Sequence, residues 1–260
     1  MNRTRLRLKK QTLCLDYLPM RALAFSVVAL LSIVDLAEAQ AAEPRFRPAL
    51  IGNGPYALVN LIDTKKLMEK GQRDGLSSFQ CHVTDSGKVA NYVVYRETPG
   101  SKVLKEEVGN ALWRSSFIPA IYNGKPTGVL FLGTVLFVVA DGKPHLRIYA
   151  NQDRDDIAKG NNFIAPQLIA GTANKVPLKD ELAKARIYHQ QGVVELETTV
   201  DANGNQKHIK VLSEDPPGFN FGKAELELLW DAKYIPGFRN GRPVDCTFDQ
   251  YHWFWLVYKR

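Results

Sequence analysis

Apolar and polar residues alternate strictly from Val194 to Asp201. Val194, Leu196, Thr198 and Val200 fall on one side, and Glu195, Glu197, Thr199 and Asp201 on the other. Period two with one apolar face predicts a half-buried strand. Asn203-Gly204 comes next, and both residue types tolerate positive φ, which predicts a hairpin turn. Ile209 and Val211 carry the apolar face back along a second strand. The same hairpin is spelled earlier by Phe79, Cys81 and Val83, then Ser86-Gly87, then Tyr92 and Val94. Pro99-Gly100 and Pro216-Pro217-Gly218 end the second strands. The period then changes. Leu104, Val108, Ala111 and Leu112 stand at i, i+4, i+7 and i+8, which predicts a helix; Phe221, Leu228 and Leu229 hold the equivalent places. Pro119 and Pro236 stop the chain from continuing as helix. Asn123-Gly124 and Asn240-Gly241 turn it into a third strand, which presents Phe131 and Phe137 in one case and Phe248 and Phe254 in the other. The order is strand, strand, helix, strand, twice.

The two series are in register at an offset of 117 residues. FIPAIYNGKP, from Phe117 to Pro126, returns as YIPGFRNGRP, from Tyr234 to Pro243. Val83 pairs with Val200, Gly87 with Gly204, Glu97 with Glu214, Leu112 with Leu229 and Trp113 with Trp230. No gap is needed from Val83 to Phe137. A further helix is expected before each copy, over 61–71 and 178–190, with Asp63 matching Asp180 as an N-cap. Pro48-Ala49-Leu50-Ile51 and Pro166-Gln167-Leu168-Ile169 match as well, at an offset of 118. The chain therefore reads as two copies of one small domain.

The start of the chain changes this picture. Arg3, Arg5, Arg7, Lys9, Lys10 and Arg21 precede an apolar run from Ala22 to Val34, and Ala37-Glu38-Ala39 and Ala39-Gln40-Ala41 fit small-x-small cleavage sites. This is the layout of a secretory signal peptide over residues 1–39. Thirteen apolar residues ended by Asp35 are too few for an anchor, so no stable membrane span is expected after processing. The periplasm or secretion is the expected address. Residues 1–39 hold six of the 34 Lys/Arg and three of the 27 Asp/Glu, which leaves a net charge near +4 instead of +7. That is too modest to argue for nucleic acid. About 220 residues remain, enough for two domains. Cys81 aligns with Thr198, and Cys246 with Val129, on strands of different domains. This favours two separate buried thiols, with one bridge as the alternative in an oxidising compartment.

The run G-V-V-E-L-x-T-x-V-D-x-N-G, from Gly192 to Gly204, with Pro216-Pro217-Gly218-Phe219 and Y-I-P-G-F-x-N-G-R-P-V from Tyr234 to Val244, closely resembles the TonB C-terminal domain. The resemblance covers about 177–256 well and 60–138 more loosely. It departs in one place. The family has a Trp four residues before the proline, where Ala232 and Ser115 stand here; Trp230 and Trp113 stand six before it. The resemblance implies an α+β fold of two tandem TonB-C-like domains. Each would be a small, mainly antiparallel three-stranded sheet (β-β-α-β) with helices on one face. The expected boundaries are 46–150 for the first, with an extra hairpin strand at its end, 151–162 for a linker and 163–260 for the second.

TonB domains bind a short segment of an outer-membrane transporter as an added strand. By resemblance, a protein partner of that kind is implied here. A full energy transducer also needs an anchor and a long Pro-rich spacer; neither is read here, so force transmission by this chain alone is not expected. Asp141-Gly142 between two strands predicts a hairpin whose His145-to-Tyr149 strand covers the first copy's edge. The second copy's last strand is expected to run from Val244 to Val257 with its edge open. Its candidate partner-binding residues are Val244, Thr247, Asp249, Tyr251, Trp253, Trp255 and Val257. Tyr251, Trp253, Trp255 and Val257 put aromatics on a nominally solvent face, which marks an interface. Packing of the two sheets on each other, or a homodimer, explains the same face, and so does a structural or scaffolding role in the envelope.

No catalytic group, metal site or cofactor is read from the sequence. Gly52-Asn53-Gly54-Pro55-Tyr56-Ala57 fits G-x-G-x-x-A, but only Ala49-Leu50-Ile51 precede it, so it reads as a loop. Asp153, Asp155 and Asp156 resemble the start of a calcium loop, yet the glycine is misplaced and no closing Glu follows. His82, His208 and His252 read as strand residues. Glu195 and Glu197 share a strand face with Lys210 and His208 opposite, a cross-strand charge pattern.

Overall fold

The alternating stretches pair as their periodicity requires. The computed structural model describes residues 45–152, 157, 160, 162–173 and 182–254. Phe46–Arg47 is a two-residue strand, β1. Two short helices follow, α1 (Leu58–Leu61) and α2 (Thr64–Glu69). The first hairpin is β2 (Gly75–Val83) and β3 (Val89–Glu97), then come α3 (Lys102–Arg114), β4 (Ala120–Tyr122), β5 (Lys125–Thr127), β6 (Val129–Ala140) and β7 (Lys143–Ala150). The later residues give β8 (Phe163–Ile164), β9 (Gln167–Leu168), α4 (Ala183–Ile187), β10 (Gly192–Val200) and β11 (Gln206–Asp215). The last elements are α5 (Phe221–Leu228), β12 (Tyr234–Ile235), β13 (Gly237–Arg239), β14 (Arg242–Val244) and β15 (Cys246–Phe254). The fold is α+β. Among the described residues no helix is long and apolar enough to cross a membrane.

Two sheets dominate, in the orders β3-β2-β6-β7 and β11-β10-β15. All their pairs are antiparallel. In sheet one Phe79 lies between Val94 and Gly133. In sheet two Leu196, 117 residues on, lies between Val211 and Gln250. The bulges repeat too, after Ser78 and His82 in one hairpin and after Glu195 and Thr199 in the other. A bulge reverses which face each following side chain takes, so equal bulges keep the same positions facing the helices.

Each sheet buries one face under its long helix. Phe79, Cys81, Phe131 and Phe137 meet Leu104, Val108, Ala111 and Leu112 of α3, all fully buried. Val194, Leu196 and Phe248 meet Phe221 and Ala224 of α5, with Leu229 buried just beyond the helix end. The helix expected over 61–71 is broken in two, because Ile62 is extended and Asp63 caps α2, its carboxylate accepting the Lys66 N–H at 3.0 Å. An N-cap needs non-helical φ/ψ, so it ends one helix as it starts the next. Of the helix expected over 178–190, Ala183–Ile187 is helical, and residues 178–181 lie outside the described residues.

The turn at Asn203-Gly204 differs in mechanism from its expectation. Only Gly204 is left-handed, at φ +80. Asp201 builds the rest, its Oδ1 accepting the N–H groups of Asn203 and Asn205, each at 2.9 Å. Asn123-Gly124 and Asn240-Gly241 do use positive φ at both residues, as a two-residue hairpin turn of this type requires.

Both sheets fall within one compact unit among the described residues. Ile169, Ile235 and Phe238, from the later half, belong to the core beneath sheet one. Gln167 reads the backbone of Ala49, accepting its N–H at 2.7 Å and donating to its carbonyl at 3.1 Å. The stretch expected as a linker starts pinned to sheet one: Asn151 is 1% exposed and its Oδ1 accepts the Leu132 N–H at 3.0 Å. Asp153, Asp155 and Asp156 lie outside the described residues. No disulfide joins Cys81 to Cys246; the first is buried and the second half-buried. Burial alone pushes the Cys81 thiol far above its ordinary range.

Candidate partner-binding strand

β15 is the end strand of sheet two, paired with β10 on one side. Its period-two sequence gives it two unlike faces. Phe248, Gln250, His252 and Phe254 look toward α5. Phe248 is core, and the Phe254 ring lies 5.1 Å from that of Phe221. Gln250 donates to Thr198 Oγ1 at 2.7 Å and to the Tyr234 hydroxyl at 3.1 Å, and His252 Nδ1 lies 2.8 Å from Glu225 Oε1. Burial pushes the Tyr234 phenol up; the Gln250 hydrogen bond opposes this and the Glu225 charge adds to it.

Thr247, Asp249, Tyr251 and Trp253 take the other face. The Thr247 and Thr199 hydroxyls hydrogen-bond at 2.8 Å, and Asp249 stands opposite Glu197, whose carboxylate pairs with Lys210 at 2.7 Å. Tyr251 is 6% exposed. Its hydroxyl donates to Glu195 Oε1 at 2.7 Å and accepts from Arg96 Nη2 at 2.7 Å. The Tyr95 ring lies 5.3 Å from Tyr251 and 6.0 Å from Trp253, and the Arg96 guanidinium sits 5.0 Å over the Tyr251 ring. Tyr95 and Arg96 belong to β3. The aromatic face of β15 thus packs on the end strand of sheet one.

The candidate residues do not form one strand. Val244 ends β14 and pairs with Gly237. Asp245 separates it from β15, its carboxylate accepting the Ala202 N–H at 2.6 Å. Thr247, Asp249, Tyr251 and Trp253 are brought together on β15, and Trp255 and Val257 lie outside the described residues. The free edge of β6 is covered by β7, as its Asp141-Gly142 hairpin requires. β7 carries Lys143, Pro144 and Arg147, which blunt an edge against further pairing. β15 carries no Lys, Arg or Pro.

Residues 183–255 match the model of the Gram-negative bacterial TonB protein C-terminal. The matched stretch holds α4, both strands of the second hairpin, α5 and β15, so the whole of sheet two lies within it. That family is a non-enzymatic protein-interaction module of envelope transport. Comparison with curated proteins gave no match, and comparison with solved structures gave none either.

The polar residues beneath α5 were not singled out from the sequence as a group. A signal existed. Glu225, His252 and Gln250 occupy the places where Val108, Val135 and Gly133 stand 117 residues earlier. His252 alone reads as a strand residue, because α5 and β15 are far apart in sequence.

Proposed function

We propose that this chain is an exported protein-binding module of the cell envelope, built from two TonB-C-like copies, in which β15 accepts an extended partner segment as an added strand. The observation that carries this reading is the place of β15: it is the last strand of the matched stretch and an end strand of its sheet. Strand addition takes place at the end strand of a sheet, where an extended peptide aligns its backbone beside that of the strand. Outer-membrane transporters are the class of partner that the family match supports. Equal registers and equal bulges 117 residues apart support descent of both sheets from one module.

The packing of Tyr251 and Trp253 on Tyr95 and Arg96 favours a second reading, in which the copies form a scaffold that binds no transporter. Under the first reading these aromatics position β15, and the partner reads its backbone edge. Of the aromatic face that left a homodimer open, Tyr251 and Trp253 pack within the chain.

The test adds synthetic peptides from the periplasmic N-termini of outer-membrane transporters to the processed chain and follows amide hydrogen exchange. Strand addition protects alternate amides of Thr247 to Trp253 and leaves β7 unchanged. Binding that protects another strand moves the site. No binding by any such peptide leaves the scaffold reading.

A further inference from the structure

The short strands that open the two copies, β1 and β8, hold matching places in the fold. Arg47 of β1 pairs with Ile121, and Ile164 of β8 pairs with Phe238, 117 residues on in both cases. Both strands line one cleft of about 470 Å3, within the usual size of small-ligand sites. Its walls are largely apolar, from Phe46, Pro48, Leu50, Ile164 and Phe238. Among the described residues, Arg47 is the one charged side chain that lines it, and no residue of β15 takes part.

Arg47 is short of partners. It is half-buried, and its Nη2 donates to the Pro119 carbonyl at 3.2 Å. Its Nε is shut off from solvent and has no hydrogen-bond partner among the described residues. Buried N–H groups are nearly always paired, so an orphan points to a missing acceptor. No carboxylate lines the cleft to balance the charge. Folding does not ask for the charge either, because the matching residue of the second copy, Ile164, is apolar. Arg45 adds to the positive field. Its guanidinium lies 4.7 Å over the Phe46 ring, and it donates to the amide oxygens of Asn123 and Asn203 at 3.5 and 3.3 Å, not to an acid.

An occupant that answers these features brings one negative charge and an apolar body. The planar fork of a guanidinium matches the two oxygens of a carboxylate. Asn240, also on the wall, accepts from Asn162 through its Oδ1 at 2.8 Å, which leaves its amide nitrogen as a second donor. The backbone of β8 has little left for an added strand. The Phe163 carbonyl accepts from Gln152 at 2.6 Å, and the Ala165 N–H donates to the Asn151 carbonyl at 3.2 Å. The cleft therefore offers side chains, which favours a small molecule over an extended peptide. We propose that this cleft binds a small monocarboxylate with an apolar body, whose carboxylate pairs with Arg47 and whose body lies against Phe46, Leu50, Ile164 and Phe238.

The test uses the whole processed chain with octanoate, and octanol as its uncharged counterpart, followed by amide NMR. We expect saturable shifts at Arg47, Leu50 and Ile164 at about millimolar octanoate. Octanol should bind about tenfold more weakly, the worth of one charge-assisted hydrogen bond. Arg47→Ile, which carries the residue of the second copy, should bring octanoate down to the level of octanol. Arg47→Lys keeps the charge without the fork and should fall between. No saturation by about 10 mM octanoate, equal binding of octanol, or an unchanged preference in Arg47→Ile overturns the proposal. Should that variant not fold, the contrast of octanoate with octanol in the parent chain decides alone.

Discussion

Gly87 and Gly204 hold one difficult position in two places. Their φ angles are +76 and +80, and a Cβ on either would run into a carbonyl oxygen, that of Phe117 or of Tyr234. The same carbonyl-bearing residues donate their N–H groups back to the glycines, at 2.8 and 3.0 Å. Alanine at either site should therefore cost about 2 kcal/mol by urea unfolding, from left-handed backbone plus overlap. Gly124 has φ +74 but open space around it, so alanine there should cost about 1 kcal/mol. Equal losses at all three would mean that the overlap does not matter. Asp201 and His82 both cost stability as pH falls, in two different ranges. Burial pushes the Asp201 carboxyl up, but hydrogen bonds from Lys207, Asn205 and Asn203 outweigh it and hold the group well below the usual carboxylate range. Its stabilisation is complete above the ordinary value of 3.8 and is lost as pH falls below it. Asp201→Ala should flatten the acid limb of a plot of melting midpoint against pH. His82 prefers its neutral form in the fold, so its share is complete above the ordinary 6.5 and declines as pH falls through that value. His82→Gln should remove a slope near pH 6 and leave the carboxylate limb in place.

β15 is held from both faces and by different chemistry on each. Toward α5 it is held by Phe248 and Phe254 and by the polar contacts of Gln250 and His252, where the matching positions of β6 are Phe131, Phe137, Gly133 and Val135. Toward β3 it is held by stacked rings and by the Arg96–Tyr251–Glu195 line of hydrogen bonds. Trp253→Ala should destabilise the chain by about 2 kcal/mol, because a half-buried ring loses its packing. A double-mutant cycle with Tyr95→Ala should return a coupling of about 1 kcal/mol. No coupling would mean that the two rings pack independently. α5 is shorter than α3, with eight residues against thirteen. Its start is tied down by Glu214, which accepts the N–H groups of Gly218 at 2.7 Å and Gly222 at 2.8 Å. A carboxylate at a helix start also suits the helix dipole.

Both sheets share one folded body. Residues of the later half complete the core under sheet one, and Gln167 is buried against the Ala49 backbone. Denaturant should therefore unfold the processed chain in one cooperative transition, with near-ultraviolet and far-ultraviolet dichroism coincident. Two separated transitions would mean two independent domains. Gln167→Ala should cost about 1–2 kcal/mol, since it strands the buried N–H and carbonyl of Ala49. The basic start and the two Ala-x-Ala sites predict a processed N-terminus at Gln40 or Ala42, which N-terminal sequencing of protein from its native envelope decides.

The strands and most of the turns were legible in the amino-acid order because they are local. Period two at Val194–Val200, the stripe Leu104–Leu112 and the Asn-Gly pairs act over a few residues, and their backbone preferences do not wait for distant contacts. The covered edge of β6 followed from the Asp141-Gly142 hairpin for the same reason. The aromatic face of β15 was visible as an anomaly, yet its occupant was not. Tyr251 lies 155 residues from Arg96, and no local period says which surface will cover a ring. The break at Asp245, the pinning of Asn151 and the merging of the two cores through Ile235 likewise depend on where remote backbone groups fall. The contact of Glu225 with His252 was settled only when α5 docked on sheet two. Helix and strand meet there across 27 residues of chain, and burial, not sequence spacing, decides that the carboxylate and the imidazole have each other to satisfy.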